Sequence, residues 1–511
     1  MAGARGADRA CSRRLVGPLP ERDRDTQEGR NRRMSERASA SEIRSRLDHP
    51  VIDADAHTTE FVPALEEYLR EVGINTDFGK LFKGVLGAVA DWYEHTPQQR
   101  IDKHMTKPPW WTRPMRNASD LAAASFPRYL RSRMDEFGCD VSIVYPSTGL
   151  AFFQIQEDEL RRGGCRALNR YHRDAFEGCT DRLIPVAAIP THTPEEAIEE
   201  LDYAVLELGF QAVVIPTYNM RVPVGLEGKD PDLRRWAFWL DAYGVDSPYD
   251  YDPLWHRAIE LGVSLGTHSQ GNGWGSRRST SNWVYNHIGH FAASGEMLCK
   301  SLFLGGVTKR FPKLRVALLE GGVGWAASLY SDLVDHWGKR NLEAIRENLD
   351  PTLLDHAEFA KLAERYGAVG PATREKIEGA LLTTPGMNHH RPPDEDLDEF
   401  SAIGIESAEE IKDLFLPNFF FGCEADDPLN ALAFMPKLLP FEAKLPAIYG
   451  SDIGHFDVPQ MSDVLAEAIE PLDKGIISPE DFRAFVFENS LRFYTESNPA
   501  FFDGTVLEAS I

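Results

Sequence analysis

From residue 50 onward, short apolar runs alternate regularly with longer segments of helical periodicity, and this alternation constrains the fold more than any other feature. It is typical of a parallel sheet whose strands are joined by crossover helices. Eight such units predict an α/β fold, a closed (β/α)8 TIM barrel. A doubly wound open sheet is the competing arrangement, but no glycine-rich phosphate loop follows any predicted strand. The predicted strands are Val51–Ala54, Val141–Tyr145, Leu183–Ile189, Ala212–Ile215, Val263–Gly266, Arg315–Leu319, Asn418–Gly422 and Ala447–Tyr449.

The barrel is predicted to span residues 49–500, between a disordered N-terminal tail (1–48) and a C-terminal tail (501–511). The N-terminal tail is rich in Arg and Gly and lacks the apolar core of a secretory signal. Two long interruptions, at 73–115 and 350–416, follow the first and sixth strands. Because barrel enzymes keep their chemistry at the carboxyl ends of the strands, we expect both to act as lids. For the acidic second segment, a disordered surface insertion is an equal alternative.

Composition narrows the range of partners and compartments. The net charge of −24 argues against a nucleic-acid ligand, which requires a basic face, but it allows a small organic acid held by a few arginines. Arg277, Arg278 and Trp110 are the candidate substrate-binding residues. Six cysteines without CxxC spacing indicate neither a zinc knuckle nor a disulfide framework, which is typical of a reduced, cytoplasmic protein. No run approaches the ~20 apolar residues of a membrane helix, so we expect no membrane association.

The first predicted strand ends in a series of polar side chains, Asp53-Ala-Asp55-Ala-His57, with Glu60 close behind. Alternate side chains of a strand share a face, so we expect Asp53, Asp55 and His57 to point together into the barrel. Burying three polar groups is costly unless something binds them, and a divalent metal would do so. A salt-bridged strand end is the structural alternative.

Four more strands end in a potential metal ligand or acid–base group. His268 ends the fifth strand, Glu320 follows the sixth, Glu424 follows the seventh and Asp452 follows the eighth. Closure of a barrel brings the carboxyl ends of its strands together, so residues hundreds of positions apart converge on one site. The sequence therefore predicts a metal centre at the barrel mouth.

Several short motifs give the chain a resemblance to the amidohydrolase-related branch of the amidohydrolase superfamily. The resemblance covers residues 50–500 and implies a metal-dependent enzyme on a TIM barrel, a class that includes decarboxylases, hydratases and hydrolases. It also implies that Asp55, His57, His268 and Asp452 are metal ligands. The motifs are Asp55-Ala-His57, His268, Phe311-Pro312-Lys313-Leu314, Gly450-Ser451-Asp452 and Glu488-Asn489-Ser490-Leu491-Arg492-Phe493-Tyr494.

The chain departs from this family after the sixth strand, where many relatives carry a His and this chain carries Glu320. Glu60, Glu320 and Glu424 then become candidates for holding a second ion. Several carboxylates with two histidines suit iron or manganese better than a single zinc. The set resembles a clade that includes TIM-barrel nonheme diiron monooxygenases, so the predicted cofactor is two Fe ions, with Zn or Mn as the alternative.

Three functions are open at this point. The ligand count favours a nonheme diiron monooxygenase that hydroxylates an organic acid or an acyl-CoA substrate. The alternative is a metal-dependent hydrolase or decarboxylase of an aromatic or small organic acid, using a metal-bound water. The third is a binding barrel without catalysis. The predicted catalytic residues are Glu320, Asp452 and His287, with His455 orienting Asp452. A homodimer is compatible with all three functions.

Overall fold

The computed structural model describes residues 38–75, 92–109, 117–226, 237–269, 274–350, 353–367 and 393–511. Its strands are β1 (Ile52–Thr58), β2 (Val141–Pro146), β3 (Leu183–Ala188), β4 (Ala212–Pro216), β5 (Asn219–Arg221), β6 (Trp239–Asp241), β7 (Leu265–His268), β8 (Val316–Leu318), β9 (Phe419–Glu424) and β10 (Ala447–Gly450). Its helices are α1 (Ala40–Arg46), α2 (Val62–Glu71), α3 (Pro97–Asp102), α4 (Ala118–Ser125), α5 (Pro127–Phe137), α6 (Asp158–Ala175), α7 (Pro194–Asp202), α8 (Asp252–Glu260), α9 (Trp283–His287), α10 (His290–Leu304), α11 (Val307–Arg310), α12 (Gly324–Arg340), α13 (Leu342–Asn348), α14 (His356–Tyr366), α15 (Asp394–Leu397), α16 (Glu409–Phe415), α17 (Val464–Ala468), α18 (Glu470–Asp473), α19 (Pro479–Arg483) and α20 (Asn489–Thr495). Within these described ranges, no helix combines the length and the apolar character that crossing a membrane requires.

Eight of the described strands form one sheet in the order β1-β2-β3-β4-β7-β8-β9-β10, and every paired neighbour is parallel. Helices cross over between successive strands, so the predicted (β/α)8 TIM barrel is confirmed, and each observed barrel strand overlaps its predicted range. The antiparallel hairpin β5–β6, inserted between β4 and β7, is an addition that the sequence pattern does not predict.

Alternate side chains of the barrel strands enter two separate cores. Ile143, Tyr145 and Val186 belong to the inner core, which fills the barrel, whereas Val144 and Ala187 belong to the outer core, between strands and helices. Both sets are buried: helices cover the outer face of a parallel barrel, and the inner side chains are enclosed by the ring of strands. Apolar side chains therefore fill the interior, and the polar residues at the carboxyl ends of the strands form the mouth.

The first and last strands close the barrel through hydrogen bonds near their carboxyl ends. The amide of Asp452 donates to the carbonyl of Asp55 at 2.9 Å, and the amide of His57 donates to the carbonyl of Ile453 at 2.9 Å. Gly454 makes this approach feasible, since a Cβ at that position would lie only 2.5 Å from the carbonyl oxygen of His57. The closure thus passes directly through the predicted ligand positions.

Asp53 strengthens the closure with its side chain. Its fully buried carboxylate accepts from the amide of Ser451 at 3.0 Å, from the Ser451 hydroxyl at 2.6 Å and from the hydroxyl of Ser142 at 3.2 Å. Burial raises the pKa of Asp53 to about 6, and the hydrogen bonds from Ser451 oppose that shift. Asp53 therefore links β1, β2 and the segment after β10.

We expect Asp53→Ala to lower the free energy of unfolding of the metal-free protein by about 2–4 kcal/mol, because it leaves two buried hydroxyls and the amides of Ser451 and Asp55 without their acceptor. Chemical denaturation followed by circular dichroism measures the change. Asp53→Asn keeps an acceptor for the Ser451 amide and should lose less than half as much. Equal stability of Asp53→Ala and the wild type would contradict the closing role of this carboxylate.

The predicted N-terminal tail (1–48) is shorter than expected. Its last residues form α1, whose Ala40 and Ile43 are buried against the outer core. Ser39 begins this helix with a capping box, accepting from the amide of Glu42 while the Glu42 side chain bonds back to Ser39. The part of the predicted tail before residue 38 lies outside the described residues.

The predicted C-terminal tail (501–511) packs onto the barrel, which corrects the boundary placed at residue 500. Phe501, Phe502 and Leu507 are each about 2% exposed or less and join the inner core. The ring of Phe501 stacks on that of Tyr494 at 4.2 Å. Three buried apolar side chains in so short a segment explain why it docks.

The described part of the first predicted lid (73–115) lies against the loop after β7. The indole of Trp92 donates to the carbonyl of Thr280 at 3.2 Å. Because that loop begins at His268, on the carboxyl end of β7, the segment lies on the face that carries the predicted site. Trp110 lies outside the described residues, so its role in substrate binding stays a prediction.

The second predicted insertion (350–416) ends in a helix of the barrel itself. In α16, Ile411 and Phe415 are fully buried in the outer core, next to β9. The described residues before it include α14, whose side chains are largely exposed, Ala360 excepted. The insertion is therefore shorter than predicted at its carboxyl end.

Candidate metal centre

A bulge in β1 determines which of its polar side chains reach the mouth. The register with β2 shifts between Asp53 and Ala56. Asp53 bonds to the outward Ser142, whereas Asp55 turns towards His57, with 3.4 Å between Asp55 Oδ1 and His57 Nε2. The prediction that Asp53, Asp55 and His57 share one face is therefore wrong for Asp53, because one extra residue in the strand reverses the alternation.

His57 lies at the centre of a cluster of carboxylates. Its ring is fully buried, and Nε2 lies 3.4 Å from Asp55 Oδ1, 3.6 Å from Asp452 Oδ1 and 3.8 Å from Glu320 Oε1. Asp55 belongs to β1, Glu320 follows β8 and Asp452 follows β10. The structure thus brings together side chains that barrel closure was expected to collect.

His268 joins the same cluster from the end of β7. Its Nε2 lies 3.5 Å from Glu320 Oε2 and 3.9 Å from Asp55 Oδ1. The ring is edge-on to that of His57, with 4.9 Å between the centroids. Glu320 therefore contacts two histidines from different strands.

His455 also belongs to the cluster, although sequence reasoning gave it only an orienting role. Its Nδ1 lies 2.6 Å from Asp452 Oδ1 and 3.2 Å from Glu320 Oε1, and its ring stacks on that of His57 at 3.8 Å. The signal was the spacing Asp452-Ile-Gly-His455, in which Gly454 adopts a left-handed φ of 99°. That turn returns the histidine to the carboxylate it follows.

Two carboxylates of the cluster stand on strained backbone. Glu320 has a φ of 57° and Asp452 a φ of 50°, a left-handed conformation that costs a non-glycine residue on the order of 1–2 kcal/mol. Each residue lies just beyond the end of a barrel strand, at the mouth. Strain of this kind persists where the surrounding structure enforces it, and it concentrates at functional sites.

We expect Glu320→Gly to be more stable than Glu320→Ala by about 1 kcal/mol, because both remove the carboxylate and only alanine keeps a Cβ at positive φ. Thermal denaturation of the metal-free variants gives the comparison. The same pair of substitutions at Glu343, exposed in α13, is the matched control. There alanine should be the more stable, since glycine weakens a helix. Finding alanine the more stable at position 320 as well would remove the case for strain.

The carboxylates and histidines of the cluster differ in how readily they ionise. Burial, followed by the charge of Glu320, raises the pKa of both Asp55 and Asp452 well above the ordinary value. Burial also opposes ionisation of Glu320, but the surrounding histidines, His268 foremost, outweigh it and hold the pKa of Glu320 below its usual range. Burial keeps the pKa of His57 low, so its ring is neutral. A neutral imidazole and an ionised carboxylate are the forms that coordinate a cation.

The donor atoms fit a divalent metal. Within the described part of the chain, five buried atoms of the cluster have no hydrogen-bond partner, and leaving such groups unpaired costs about 1–3 kcal/mol each. They are Asp55 Oδ1, His57 Nε2, His268 Nε2, Glu320 Oε2 and Asp452 Oδ1. The potential ligand atoms fall into two groups, each within 4.8 Å: His57, Glu320, Asp452 and His455, and Asp55, His57 and His268. Imidazole nitrogens with carboxylate oxygens suit Zn, Mn or Fe, and the shared His57 allows one ion or two.

Glu60 lies behind the cluster instead of in it. Its Oε1 accepts from the amide of Ser147 at 3.1 Å, and its Oε2 accepts from the amide of Thr148 at 2.8 Å. On the far side, His172 Nε2 lies 3.5 Å from Oε1. Because both oxygens accept from the loop after β2 and Glu60 belongs to neither group of potential ligand atoms among the described residues, the geometry gives no support to its predicted role as a metal ligand.

Glu424 lies at the end of β9, paired in register with Gly450 of β10. Burial, and then the charge of Glu320, raises its pKa to about 9. Among the described residues it belongs to neither group of potential ligand atoms. The geometry gives no support to its predicted role as a ligand of a second ion.

His287 lies at the mouth, outside the cluster. Its ring stacks on Trp283 at 4.5 Å and meets Phe291 edge-on at 5.7 Å. Phe291 in turn lies 5.8 Å from the ring of His268. One aromatic ring therefore separates His287 from the cluster, and the structure does not bring this predicted catalytic residue to the ligand atoms.

A small cleft lies beside His268, lined mainly by apolar side chains and by Tyr218. Arg278 lies 5.6 Å from the ring centroid of Phe238; burial lowers its pKa, and its charge acts on Tyr218, which lines the cleft. Arg277 is instead tied to the loop, since its Nη1 donates to the carbonyl of Gly289 at 3.1 Å. Of the two predicted arginines, Arg278 interacts with a residue that lines the cleft, and the role of both in substrate binding stays a prediction.

The barrel and its cluster of histidines and carboxylates define a metal-dependent enzyme of the TIM-barrel class. The family model described as Amidohydrolase matches residues 52–368, which is more than half of the chain. The chain belongs to the amidohydrolase family.

Comparison with known proteins adds relatives of similar fold. An amidohydrolase from Mycobacterium avium subsp. paratuberculosis K-10 superposes with a TM-score of 0.50 at 17% identity, over 88% of this chain and 100% of that one. A 2,6-dihydroxybenzoate decarboxylase from Rhizobium gives a TM-score of 0.45 at 14% identity, over 88% and 99%. The decarboxylase orsB of Emericella nidulans is 27% identical over 170 residues, which are 31% of this chain and 44% of the relative. The similarity thus spans less than half of that relative's length.

Proposed function

We propose that this chain is a metal-dependent decarboxylase or hydrolase of a small aromatic acid. The observation that carries the proposal is the set of buried, unpaired donor atoms around His57, next to a largely apolar cleft beside His268. The similarity to a decarboxylase over 170 residues favours decarboxylation of the two reactions. Both reactions place a carboxylate or carbonyl beside a cation, and they differ in the bond that breaks.

In this proposal the cluster residues hold the ion, and the cleft holds the substrate ring. When bound, the ion supplies positive charge that neutralises the substrate carboxylate and lowers the pKa of water. Phe153 and Met220 line the cleft and would contact the ring while excluding water. Arg278 would orient an anionic or hydroxyl substituent.

Glu320 and Asp452 are the proposed proton-transfer groups. Decarboxylation needs a proton delivered to the carbon that loses CO2, whereas hydrolysis needs one taken from water and returned to the leaving group. Nδ1 of His455 lies 3.2 Å from Glu320 and 2.6 Å from Asp452, so this ring connects the two carboxylates.

A diiron monooxygenase acting on an organic acid or an acyl-CoA is the second candidate. The observation in its favour is that His57 belongs to both groups of ligand atoms, which together carry three carboxylates. Carboxylate-rich sets with few histidines suit paired iron. The similarity to a decarboxylase weighs against it, so it stands behind the first proposal.

The test uses protein purified without added metal. Elemental analysis gives the metal content, and the chelator-treated protein is reloaded with Mn²⁺, Zn²⁺ or Fe²⁺ and given a panel of 2-hydroxybenzoic acids and aryl esters. We expect metal-dependent product formation without oxygen, as CO2 release or ester cleavage. Substrate-dependent oxygen consumption with two Fe per chain would select the second candidate. Absence of both bound metal and turnover would reject both.

A further inference from the structure

We propose that Ser147 is a positioning residue of the metal centre: its hydroxyl determines which ring nitrogen His455 presents to the ion and supports the orientation of His57, and Glu60 holds Ser147 in place. The inference rests on the proposed metal site. Ser147 directly follows β2 (Val141–Pro146), and its Oγ lies 3.2 Å from His455 Nε2 and 3.5 Å from His57 Nδ1. These are the two nitrogens that face away from the carboxylates of the cluster.

The protonation of His57 follows from its surroundings. Nδ1 lies 3.3 Å from the carbonyl oxygen of Pro146, which can only accept a hydrogen bond. Nδ1 therefore carries the proton, and Nε2 presents a lone pair towards the carboxylates of Asp55 and Asp452, at 3.4 and 3.6 Å. A lone pair facing two carboxylates is repelled unless a cation or a proton lies between them.

In His455 the two ring nitrogens have the opposite roles: Nδ1 faces the carboxylates, and Nε2 faces Ser147. Its Nδ1 lies 2.6 Å from Asp452 Oδ1, yet among the described residues that oxygen has no hydrogen-bond partner. The two atoms thus converge without donating to each other, as two ligands of one ion do. A lone pair on Nδ1 requires the proton on Nε2, and Ser147 Oγ lies within reach to accept it. A hydroxyl oxygen has two lone pairs, so Ser147 can accept from both rings at once.

Glu60 holds the backbone that carries this hydroxyl. Its two carboxylate oxygens accept from the amides of Ser147 and Thr148, at 3.1 and 2.8 Å. Bonds from amides to a charged acceptor are about twice as strong as neutral ones, so the turn after β2 is firmly placed. The fully buried Glu60 therefore acts on the metal centre through Ser147, while its charge has a smaller direct effect on His455.

The test measures Co²⁺ binding to metal-free protein, without substrate. We expect Ser147→Ala to weaken Co²⁺ binding by about 10–100-fold, the usual effect of removing a partner that orients a histidine ligand. The visible absorption of the Co²⁺ complex should change as well, while the melting temperature of the metal-free protein stays the same. Ser147→Thr keeps the hydroxyl and should restore both Co²⁺ affinity and spectrum.

Ser490→Ala is the matched control, because Ser490 is buried and its hydroxyl has no partner among the described residues. Glu60→Gln should weaken Co²⁺ binding, and should add little in the Ser147→Ala background, since both changes act through one hydroxyl. Wild-type Co²⁺ affinity in Ser147→Ala, or the same loss in Ser490→Ala, would overturn the inference. Because no substrate is present, failure to find decarboxylase or hydrolase activity would be a separate result.

Discussion

Replacing His57 with alanine is expected to remove the bound metal and to lower turnover by about 10³-fold or more, while the barrel stays folded. His57 belongs to both groups of ligand atoms, so its loss takes a ligand from every ion the site can hold. The ion contributes several kcal/mol of charge stabilisation, and each ~1.4 kcal/mol is a factor of ten in rate. His268→Ala takes a ligand from one group only and should lower the metal content less.

Elemental analysis of the purified variants measures the loss, and circular dichroism reports whether each is folded. His336→Ala is the control, because His336 is exposed on α12, its Nδ1 bonds the carbonyl of Asp332 at 2.8 Å, and it belongs to neither group of ligand atoms. It should keep full metal content and activity. Undiminished metal in both His57→Ala and His268→Ala would refute the metal centre.

Glu320→Gln is expected to depress turnover by about 10²–10⁴-fold, as the loss of a proton-transfer group does, while the remaining donor atoms keep most of the bound metal in place. Glu320 contacts His268, His57 and His455 at 3.5, 3.8 and 3.2 Å, so it lies between the two groups of ligand atoms. If it bridges two ions instead, metal content should fall towards one per chain and oxygen consumption should stop, because an amide is a poorer ligand for a hard cation.

Metal analysis combined with an oxygen electrode separates these outcomes. Glu424→Gln makes the same chemical change at a carboxylate outside both groups, and its metal content should equal that of the wild type. Unchanged metal and unchanged turnover in Glu320→Gln would show that Glu320 does not serve the reaction. The two-ion candidate would then lose the residue on which it depends.

The barrel could be predicted because its strands are buried on both faces and therefore appear in the sequence as continuous apolar runs. β9, with Phe419, Phe420 and Phe421 all fully buried, shows this most clearly. The polar residue that ends each run could then be assigned to the mouth from topology alone, since parallel strands end on one face. His268 and Asp452 were found in this way.

The features that sequence reasoning missed depend on contacts with other parts of the chain. The bulge in β1 is defined by its register with β2, and an alternating run of Asp and His gives no sign of one extra residue. His455 reaches the cluster through the left-handed backbone of Asp452 and Gly454, which a strand pattern does not reveal. Glu60 is a residue type that can bind metal, but both of its carboxylate oxygens accept hydrogen bonds from amides of the loop after β2.

The closure of the barrel also sets the order in which the metal centre can be assembled. Asp53 and Ser451, which bond across it, are 398 positions apart. At a synthesis rate of roughly 5–20 residues per second, the ligands that follow β10 are made on the order of 20 s or longer after those of β1. The ion can therefore be fully held only after the segment that follows β10 has been synthesised. An ion held by residues of β1 and of the segment after β10 would link the two ends of the barrel, so separation of the first and last strands should release it.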